Sequence, residues 1–231
     1  MAYSFILLSA GKGTRFGKET PKQYLLFAGK PMIVHTLERI EKIDEVEEII
    51  IVCGAEYVER IKTYASNYKL SKKIVFVEGG ATRQQSVYNG LRAAACANVI
   101  LHEAARPLVS TKDFLALIAS TAENVSYTYG IPYTVLKKDQ ENRISGILER
   151  TELVNIQLPQ KFNKKDIMCA HEKAVQEGKS FTEDASMVYY YTDKPVACMN
   201  GKSYNVKMTE YADLLYGEML LKEGLFKEEE I

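Results

Sequence analysis

Neither sign of charge is in excess in this sequence of 231 residues, since 30 Lys and Arg stand against 30 Asp and Glu. A protein that binds the nucleic-acid backbone or an anionic membrane surface needs a broad positive field. The formal net charge of zero therefore argues against both classes, and we expect no nucleic-acid and no membrane partner. A small local cluster of cations is compatible with this balance.

Cysteine and histidine are scarce and scattered. No Cys-x-x-Cys pair occurs, so the cysteines are expected to be free thiols in a reducing compartment and not parts of a disulfide framework or a zinc site. The histidines are far apart in sequence, and we expect no metal ligands among the protein side chains. The residues concerned are Cys53, Cys96, Cys169, Cys198, His35, His102 and His171.

Long apolar runs are absent as well, because none approaches the roughly 18 residues that a membrane-spanning helix needs. The apolar segment at 3–8 is short, has no basic region before it and runs into glycines, so it predicts a strand and not a signal peptide. A soluble, cytoplasmic protein is expected. A chain of this length buries roughly 70% of its unfolded surface, which predicts a single domain over residues 1–231.

What the sequence does contain is an alternation of strand-like and helix-like segments. Strands separated by helices of this length form right-handed βαβ units, which predicts an α/β fold with a mostly parallel sheet covered on both faces. Ligands of such sheets bind beyond the carboxyl ends of the strands. The predicted strands are 3–8, 46–52, 73–77, 98–102 and 126–131, and the predicted helices are 32–43, 56–68, 84–95 and 111–123.

The alternation stops after residue 131. Residues 133–157 are polar and β-rich in places without a helical stripe, which indicates a hairpin arm that leaves the body and serves as an interface. A helix at 163–177, strands at 195–199 and 204–208, and a closing helix at 209–222 follow. Thr209 is the predicted N-cap of that last helix.

The first strand runs into a glycine-rich turn, from Leu8 to Gly17. Small residues let backbone N–H groups approach a polyphosphate, and Arg15 and Lys22 add two cations nearby. The spacing excludes a Walker loop and the Gly-x-Gly-x-x-Gly dinucleotide fingerprint, because Phe16 stands where the latter needs glycine. Phosphate binding is therefore predicted without either motif.

Four further clusters carry polar chemistry, and each also has a purely structural interpretation. Residues 79–87 follow a strand and offer glycines and Ser86, or form a turn capped by Thr82. Residues 102–107 offer Glu103 for a ribose or Mg²⁺ and Arg106 for a phosphate; His102 is expected to be packed in the core. Residues 182–186 pair acids with hydroxyls, or form a helix N-cap. Residues 205–209 carry Lys207, which meets a phosphate or is simply solvated.

Taken together, these residues resemble one family from the first strand to the last helix. The pattern is Ala10-Gly11-x-Gly13-x-Arg15, Pro21-Lys22-Gln23, Gly79-Gly80-x-x-Arg83-x-x-Ser86-Val87-x-x-Gly90-Leu91, His102-x-Ala104-Ala105-Arg106-Pro107 and Asn205-Val206-Lys207-x-Thr209. It is similar to the 2-C-methyl-D-erythritol 4-phosphate cytidylyltransferases and the related ribitol-5-phosphate cytidylyltransferases. The resemblance implies a Rossmann-like fold of the nucleotide-diphospho-sugar transferase type, the use of CTP and Mg²⁺, and a homodimer interlocked through the 133–157 arm.

The resemblance also implies roles for individual residues. Arg15 and Lys22 match the catalytic pair that stabilises the pentacoordinate α-phosphate. The positions that match CTP-binding residues are Ala10, Gly11, Gly13, Gly80, Ser86, Glu103, Ala104 and Lys207. The positions that match acceptor-binding residues are Arg106, Thr182 and Arg150, the last supplied by the partner subunit.

The sequence departs from the family pattern mainly on the acceptor side. The departures are Glu103 for the usual Asp, the order Glu183-Asp184, Leu158 for Thr, and the absence of an Asp-Thr pair before Lys137. The expected activity is transfer of CMP from CTP to a polyol phosphate, with 2-C-methyl-D-erythritol 4-phosphate as first choice and ribitol 5-phosphate or another pentitol phosphate as the alternative. A sugar-1-phosphate uridylyl- or guanylyltransferase and a nucleotide-binding regulatory protein are the other classes left open.

Overall fold

A computed structural model describes residues 1–11 and 20–226. Its strands are β1 (Tyr3–Leu8), β2 (Leu26–Phe27), β3 (Lys30–Pro31), β4 (Val46–Cys53), β5 (Lys73–Glu78), β6 (Asn98–Glu103), β7 (Val125–Gly130), β8 (Leu136–Lys138), β9 (Ile144–Ile147), β10 (Val154–Asn163) and β11 (Ala197–Asn200). Its helices are α1 (Met32–Glu41), α2 (Val58–Asn67), α3 (Arg83–Ala93), α4 (Thr111–Ala119), α5 (Lys164–Gln176), α6 (Asp184–Tyr191) and α7 (Tyr211–Lys222).

The body is built on a seven-stranded sheet in the order β11-β7-β10-β6-β1-β4-β5. Strands β6, β1, β4 and β5 pair in parallel, and so do β11 and β7. Strand β10 is antiparallel to both of its neighbours, β6 and β7. The prediction of an α/β fold with a mostly parallel sheet is confirmed.

Both faces of the sheet are buried, which explains why the strands read as continuous apolar runs. Side chains alternate between the faces: Phe5 and Leu7 of β1 join one core cluster, and Ile6 between them joins the other. A third cluster, which includes Phe27 and Met208, lies where α7 packs on the body. None of the helices in the described ranges is long and apolar enough to span a membrane.

The end of the chain differs from the prediction in two places. Residues 204–208 do not form a strand, because their backbone partners belong to loops: Met208 N–H donates to Ala105 O, and Asn205 O accepts from Arg106. The last helix begins at Tyr211 and its N-cap is Glu210 and not Thr209, since the Asp213 carboxylate accepts from the Glu210 N–H in a capping box.

The segment predicted as an arm, residues 133–157, contains a hairpin and the start of a main-sheet strand. Strands β8 and β9 form a separate antiparallel hairpin outside the main sheet. Residues 154–157 were predicted to belong to the arm, but they begin β10 and pair with β7 in the main sheet. The reason is that β10 is one continuous strand. Because its second half is buried in the sheet, its first residues also lie beside β7 and pair with it. We keep the name arm for residues 133–153.

The topology creates a crevice at one edge of the sheet. After β1 the chain builds β4 and β5 on one side, and β6 then returns to the other side of β1. Backbone hydrogen bonds join the chain just beyond these strand ends: Ser9 N–H to Val52 O, Gly79 N–H to Cys53 O, and Ala104 N–H to Leu8 O. Such a switch point is where open α/β sheets bind ligands.

Candidate active site

The loop after β1 is held by the short helical turn Lys22–Tyr24. Gln23 Nε2 donates to Ser9 O at 2.6 Å and to Gly11 O at 2.9 Å, and the Tyr24 hydroxyl lies 3.1 Å from Ser9 Oγ. Burial raises the pKa of Tyr24 above its usual range, so that hydroxyl stays protonated. These contacts hold the backbone of the turn that carries Lys22, a residue that lines the crevice and is 8% exposed.

The loop after β5 approaches the first loop closely. A Cβ on Gly79 would come within 2.3 Å of Ala10 Cβ, so only glycine fits there. The Gly80 N–H donates to Ser86 Oγ at 3.0 Å, and that hydroxyl donates to Thr82 O at 2.9 Å. Thr82 caps α3 by accepting from the Gln85 N–H. The predicted cap is therefore confirmed, and Ser86 shapes the loop that forms this wall.

Glu103, at the end of β6, is the electrostatic centre of the crevice. Lys207 Nζ lies 2.9 Å from Glu103 Oε1, Arg106 Nε 3.2 Å from Oε2, and Arg83 Nε 3.5 Å from Oε1. Burial alone would raise the pKa of Glu103, but the three cations outweigh it and lower the pKa to about 2. The carboxylate therefore stays ionised and holds the three cations at this edge of the sheet.

His102 is a core residue, as expected. Its ring is fully buried, packs edge-on against Phe114 at 5.2 Å, and shares a hydrogen bond with Arg106 O. Burial, with Arg106 nearby, lowers the pKa of His102 to about 3, so the imidazole is neutral. It supports the Glu103–Arg106 turn from behind and does not line the crevice.

The crevice is a cavity of about 670 Å³, within the size range of small-molecule sites. Among the described residues, its charged lining consists of the three cations Lys22, Arg83 and Lys207 and the single carboxylate of Glu103. The excess of positive charge suits an anionic ligand. Among the residues predicted from the sequence, those that line it are Ala10, Gly11, Lys22, Gly80, Ser86, Glu103 and Lys207.

Other predicted site residues lie elsewhere. Ala104 is fully buried, and its backbone N–H donates to Leu8 O. The Arg106 guanidinium donates to the Glu103 carboxylate and to Asn205 O. Thr182 is exposed just before α6. Arg150 lies on the arm, where it donates to Pro132 O at 3.3 Å, and it does not line the cavity of its own chain. Gly13 and Arg15 lie outside the described residues.

Arg83 is a lining residue to which the sequence interpretation assigned no role. It is the first residue of α3 and pairs with Asp184, the first residue of α6, at 2.6 Å. The signal was present, since Arg83 belongs to the motif that begins at Gly79 and Asp184 to the cluster that begins at Thr182. Sequence spacing could not show that the two clusters meet.

The fold and the site together define a class. Glycine loops and fixed cations at the switch point of an α/β sheet form a site for the phosphates of a nucleotide. The chain matches the family model described as 2-C-methyl-D-erythritol 4-phosphate cytidylyltransferase over residues 4–223, and it belongs to that family.

Curated relatives carry the same name. The protein from Halalkalibacterium halodurans is 34% identical over 229 residues, which cover 96% of this chain and 98% of the relative. The protein from Dictyoglomus thermophilum is 37% identical over 225 residues, covering 95% and 96% respectively. The recognition of the family from its motifs is confirmed.

Solved structures support the fold. The 4-diphosphocytidyl-2C-methyl-D-erythritol synthase of Anaerococcus prevotii superposes with a TM-score of 0.86 at 27% identity, covering 96% of both chains. The 2-C-methyl-D-erythritol 4-phosphate cytidylyltransferase of Thermus thermophilus gives 0.75 at 28% identity, covering 96% of this chain and all of that one. The second is a cytidylyltransferase by name, and the predicted Rossmann-like architecture is confirmed.

Proposed function

We propose that this chain transfers CMP from CTP to 2-C-methyl-D-erythritol 4-phosphate and releases pyrophosphate. The observation that carries the proposal is that the glycine loops after β1 and β5, Lys22, Glu103 and Lys207 open onto one cavity. Family membership over almost the whole chain supports the choice of both substrates. The names of the relatives do not favour ribitol 5-phosphate as the acceptor.

The proposed reaction needs no covalent enzyme intermediate. An oxygen of the acceptor phosphomonoester attacks the α-phosphorus of CTP in line, the new P–O bond forms, and the bond to the β-phosphate oxygen breaks to release pyrophosphate. The acceptor phosphate is largely dianionic at neutral pH, since its second pKa is about 6. The enzyme therefore has to position two anions and neutralise the charge that builds up between them.

The cations of the site suit that task. We assign Lys22 and Arg15 to the α-phosphate, and the loop at Ala10, Gly11 and Gly13 to the triphosphate. Lys22 is held in a wall whose backbone is fixed by Gln23. Gly80 and Ser86 are assigned to the cytosine side, and Glu103, Ala104 and Lys207 to the ribose and the innermost phosphate.

Magnesium enters this proposal with the triphosphate. Mg²⁺ at such sites is usually held by one or two carboxylates together with substrate phosphates. Glu103 is the acidic side chain among the described residues that line the cavity, and both its oxygens already accept from cations. In the described ranges no group of three His, Cys, Asp or Glu side chains is placed to hold a metal. This donor set fits an ion carried mainly by phosphate oxygens, which would add charge neutralisation at the triphosphate.

The acceptor side is proposed to be completed by a second copy of the chain. We assign Arg106, Thr182 and the partner's Arg150 to the acceptor, and the arm, residues 133–153, to the homodimer contact. Three large apolar residues of this segment support the proposal: Tyr133, Ile144 and Ile147 are 80%, 71% and 84% exposed, and exposed apolar surface is typical of interaction sites. We also propose that the protein works in the cytoplasm.

The decisive experiment measures pyrophosphate release with each nucleoside triphosphate against a panel of phosphorylated acceptors. We expect turnover with CTP and 2-C-methyl-D-erythritol 4-phosphate in the presence of Mg²⁺. Turnover with ribitol 5-phosphate alone, or with UTP or GTP and a sugar 1-phosphate, would overturn the substrate assignment. Binding of CTP without any pyrophosphate release would indicate a regulatory protein.

A further inference from the structure

A chain of charged contacts runs from the interior of the molecule to the cavity. His171 Nε2 lies 3.1 Å from Asp184 Oδ1, Arg83 Nη1 lies 2.6 Å from Asp184 Oδ2, and Arg83 Nε lies 3.5 Å from Glu103 Oε1. These residues come from α5, α6, α3 and the end of β6. Four elements that are distant in sequence therefore meet through one set of side chains joined by hydrogen bonds and an ion pair.

Burial makes the members of this chain depend on one another. The side chains of His171 and Asp184 are 0% and 1% exposed. Burial would raise the pKa of Asp184, but Arg83 and His171 outweigh it and lower the pKa below its usual range. Because the ionised carboxylate can only accept, we assign the hydrogen to Nε2 of His171, which donates a hydrogen bond to Asp184 Oδ1. Asp184 thus has one oxygen fixed by the imidazole and the other by the guanidinium.

A second, independent tie joins the same two segments. Gln84, next to Arg83, accepts from the Phe181 N–H at 2.8 Å and donates to Lys179 O at 3.3 Å. The first turn of α3 therefore clamps residues 179–184 at two points. On one side of this clamp lies the loop of Gly80 and Ser86, and on the other lies Thr182.

We propose that His171 and Asp184 are positioning residues that hold Arg83 in the cavity wall and join the CTP-side loop to the acceptor-side loop. The catalytic consequence of this arrangement rests on the function proposed above. Arg83 is shared between two carboxylates, Asp184 and Glu103. With Asp184 fixed by His171, Arg83 stays at the edge of the Glu103 cluster and leaves Oε1 to Lys207, which lies closer.

The consequence of removing the tie follows from the same geometry. If Asp184 no longer holds Nη1, the guanidinium is drawn to the remaining carboxylate, Glu103. It then competes with Lys207 and Arg106 for the two oxygens, and the cations that face the phosphates lose their arrangement. A purely structural His171 would instead support folding and leave Arg83 where it is.

The test combines a spectroscopic signal with a double-mutant cycle. In the full-length wild-type protein, the Arg83 Nε–Hε resonance, assigned by its loss in R83A, is expected to be sharp and dispersed. In H171F, which keeps a ring against Tyr88 but removes the donor to Asp184, that resonance should move or broaden. In H171Q, which restores a donor, it should return. An unchanged Arg83 signal in H171F would overturn the proposal whatever the enzyme's substrate is.

The second test measures the kinetics of pyrophosphate release. We expect H171F to lower kcat/KM about tenfold in the wild-type background, as is typical of coupled residues in one network. In the R83A background, the same substitution should lower kcat/KM less than about twofold. Equal losses in both backgrounds would contradict the proposal. Y88F, which alters the ring stacked on His171, is the matched control and should stay within about twofold of wild type.

Folding of the variants is checked separately. If H171F yields no folded protein, D184N takes its place in the cycle, because it removes the charge and keeps the shape. Absence of turnover in the wild-type protein would refute the proposed function alone, and the Arg83 resonance would still decide the positioning role.

Discussion

The cavity and the arm differ in how far their charged and apolar side chains are buried and paired. In the cavity, Glu103 is 8% exposed and is neutralised by Lys207, Arg106 and Arg83 of the same chain. On the arm, Arg143 is 70% exposed and pairs with its hairpin neighbour Asp139, while Ile144 and Ile147 are open to solvent. The charge of Glu103 is therefore balanced within one chain, whereas the described residues leave Ile144 and Ile147 of the arm exposed.

This contrast separates two kinds of contribution. Buried ionic groups depend strongly on their partners, and removing one partner is costly. Exposed ion pairs contribute about 0–1 kcal/mol. Changes in the cavity should therefore alter both catalysis and folding, and changes on the arm should alter association and leave the fold intact.

The largest effect is expected for Lys22→Ala. Loss of one preorganised cation at the reacting phosphate should lower kcat by roughly 10²–10³, and the sequence motif predicts the same range for Arg15→Ala. Steady-state pyrophosphate release measures it. Lys62→Ala is the matched control, since Lys62 is an exposed lysine on α2 that pairs with Glu59. A Lys22 variant with near-normal turnover would remove Lys22 from the catalytic pair.

Glu103→Gln should show that the cavity also supports the fold. The substitution keeps the shape but leaves three cations without their shared carboxylate, so the free energy of unfolding should fall by about 3 kcal/mol at neutral pH. Urea denaturation measures the loss. Glu59→Gln, whose side chain is 83% exposed, should cost less than about 0.5 kcal/mol. Equal effects of the two changes would refute the distinction between buried and exposed charge.

His102 makes the fold sensitive to acid. Burial lowers its pKa from 6.5 to about 3, so between these values the unfolded chain binds a proton that the folded chain does not, and stability falls as the pH falls. His102→Phe should remove roughly 2–3 kcal/mol of the stability difference between pH 6.5 and about pH 4.5. Urea denaturation at both pH values tests this. An equal loss of stability in the wild-type protein and in His102→Phe would contradict the prediction.

The smallest effect on folding is expected on the arm. Ile147→Asp should change the free energy of unfolding of the chain by less than about 0.5 kcal/mol, as is usual for surface positions. It should nevertheless convert a dimer to a monomer, because the charge lies in the proposed contact. Light scattering gives the mass. Val175→Asp, at an exposed apolar position on α5, is the control and should remain dimeric. A dimeric Ile147→Asp variant would exclude the arm as the contact.

Four strands of the sheet were predictable from local sequence because each is an apolar run followed by turn residues. The strands at 3–8, 46–53, 73–78 and 98–103 are found within a residue of their predicted ends. The segment at 204–208 has the same local character and is not a strand, because its backbone partners are loops. An apolar, β-branched sequence indicates an extended backbone, but whether that backbone joins a sheet depends on whether another strand lies beside it.

The site divides in the same way. The amino-acid sequence by itself determined the family, the glycine loops and the identities of Lys22, Glu103 and Lys207, because each motif is a short run of neighbouring residues. Only the tertiary structure decided that Arg83 bridges Glu103 and Asp184, that Arg106 turns inward, and that Arg150 lies away from its own cavity. The physical reason is that these partners are separated by 18 to 101 residues of chain and meet only when the chain has folded.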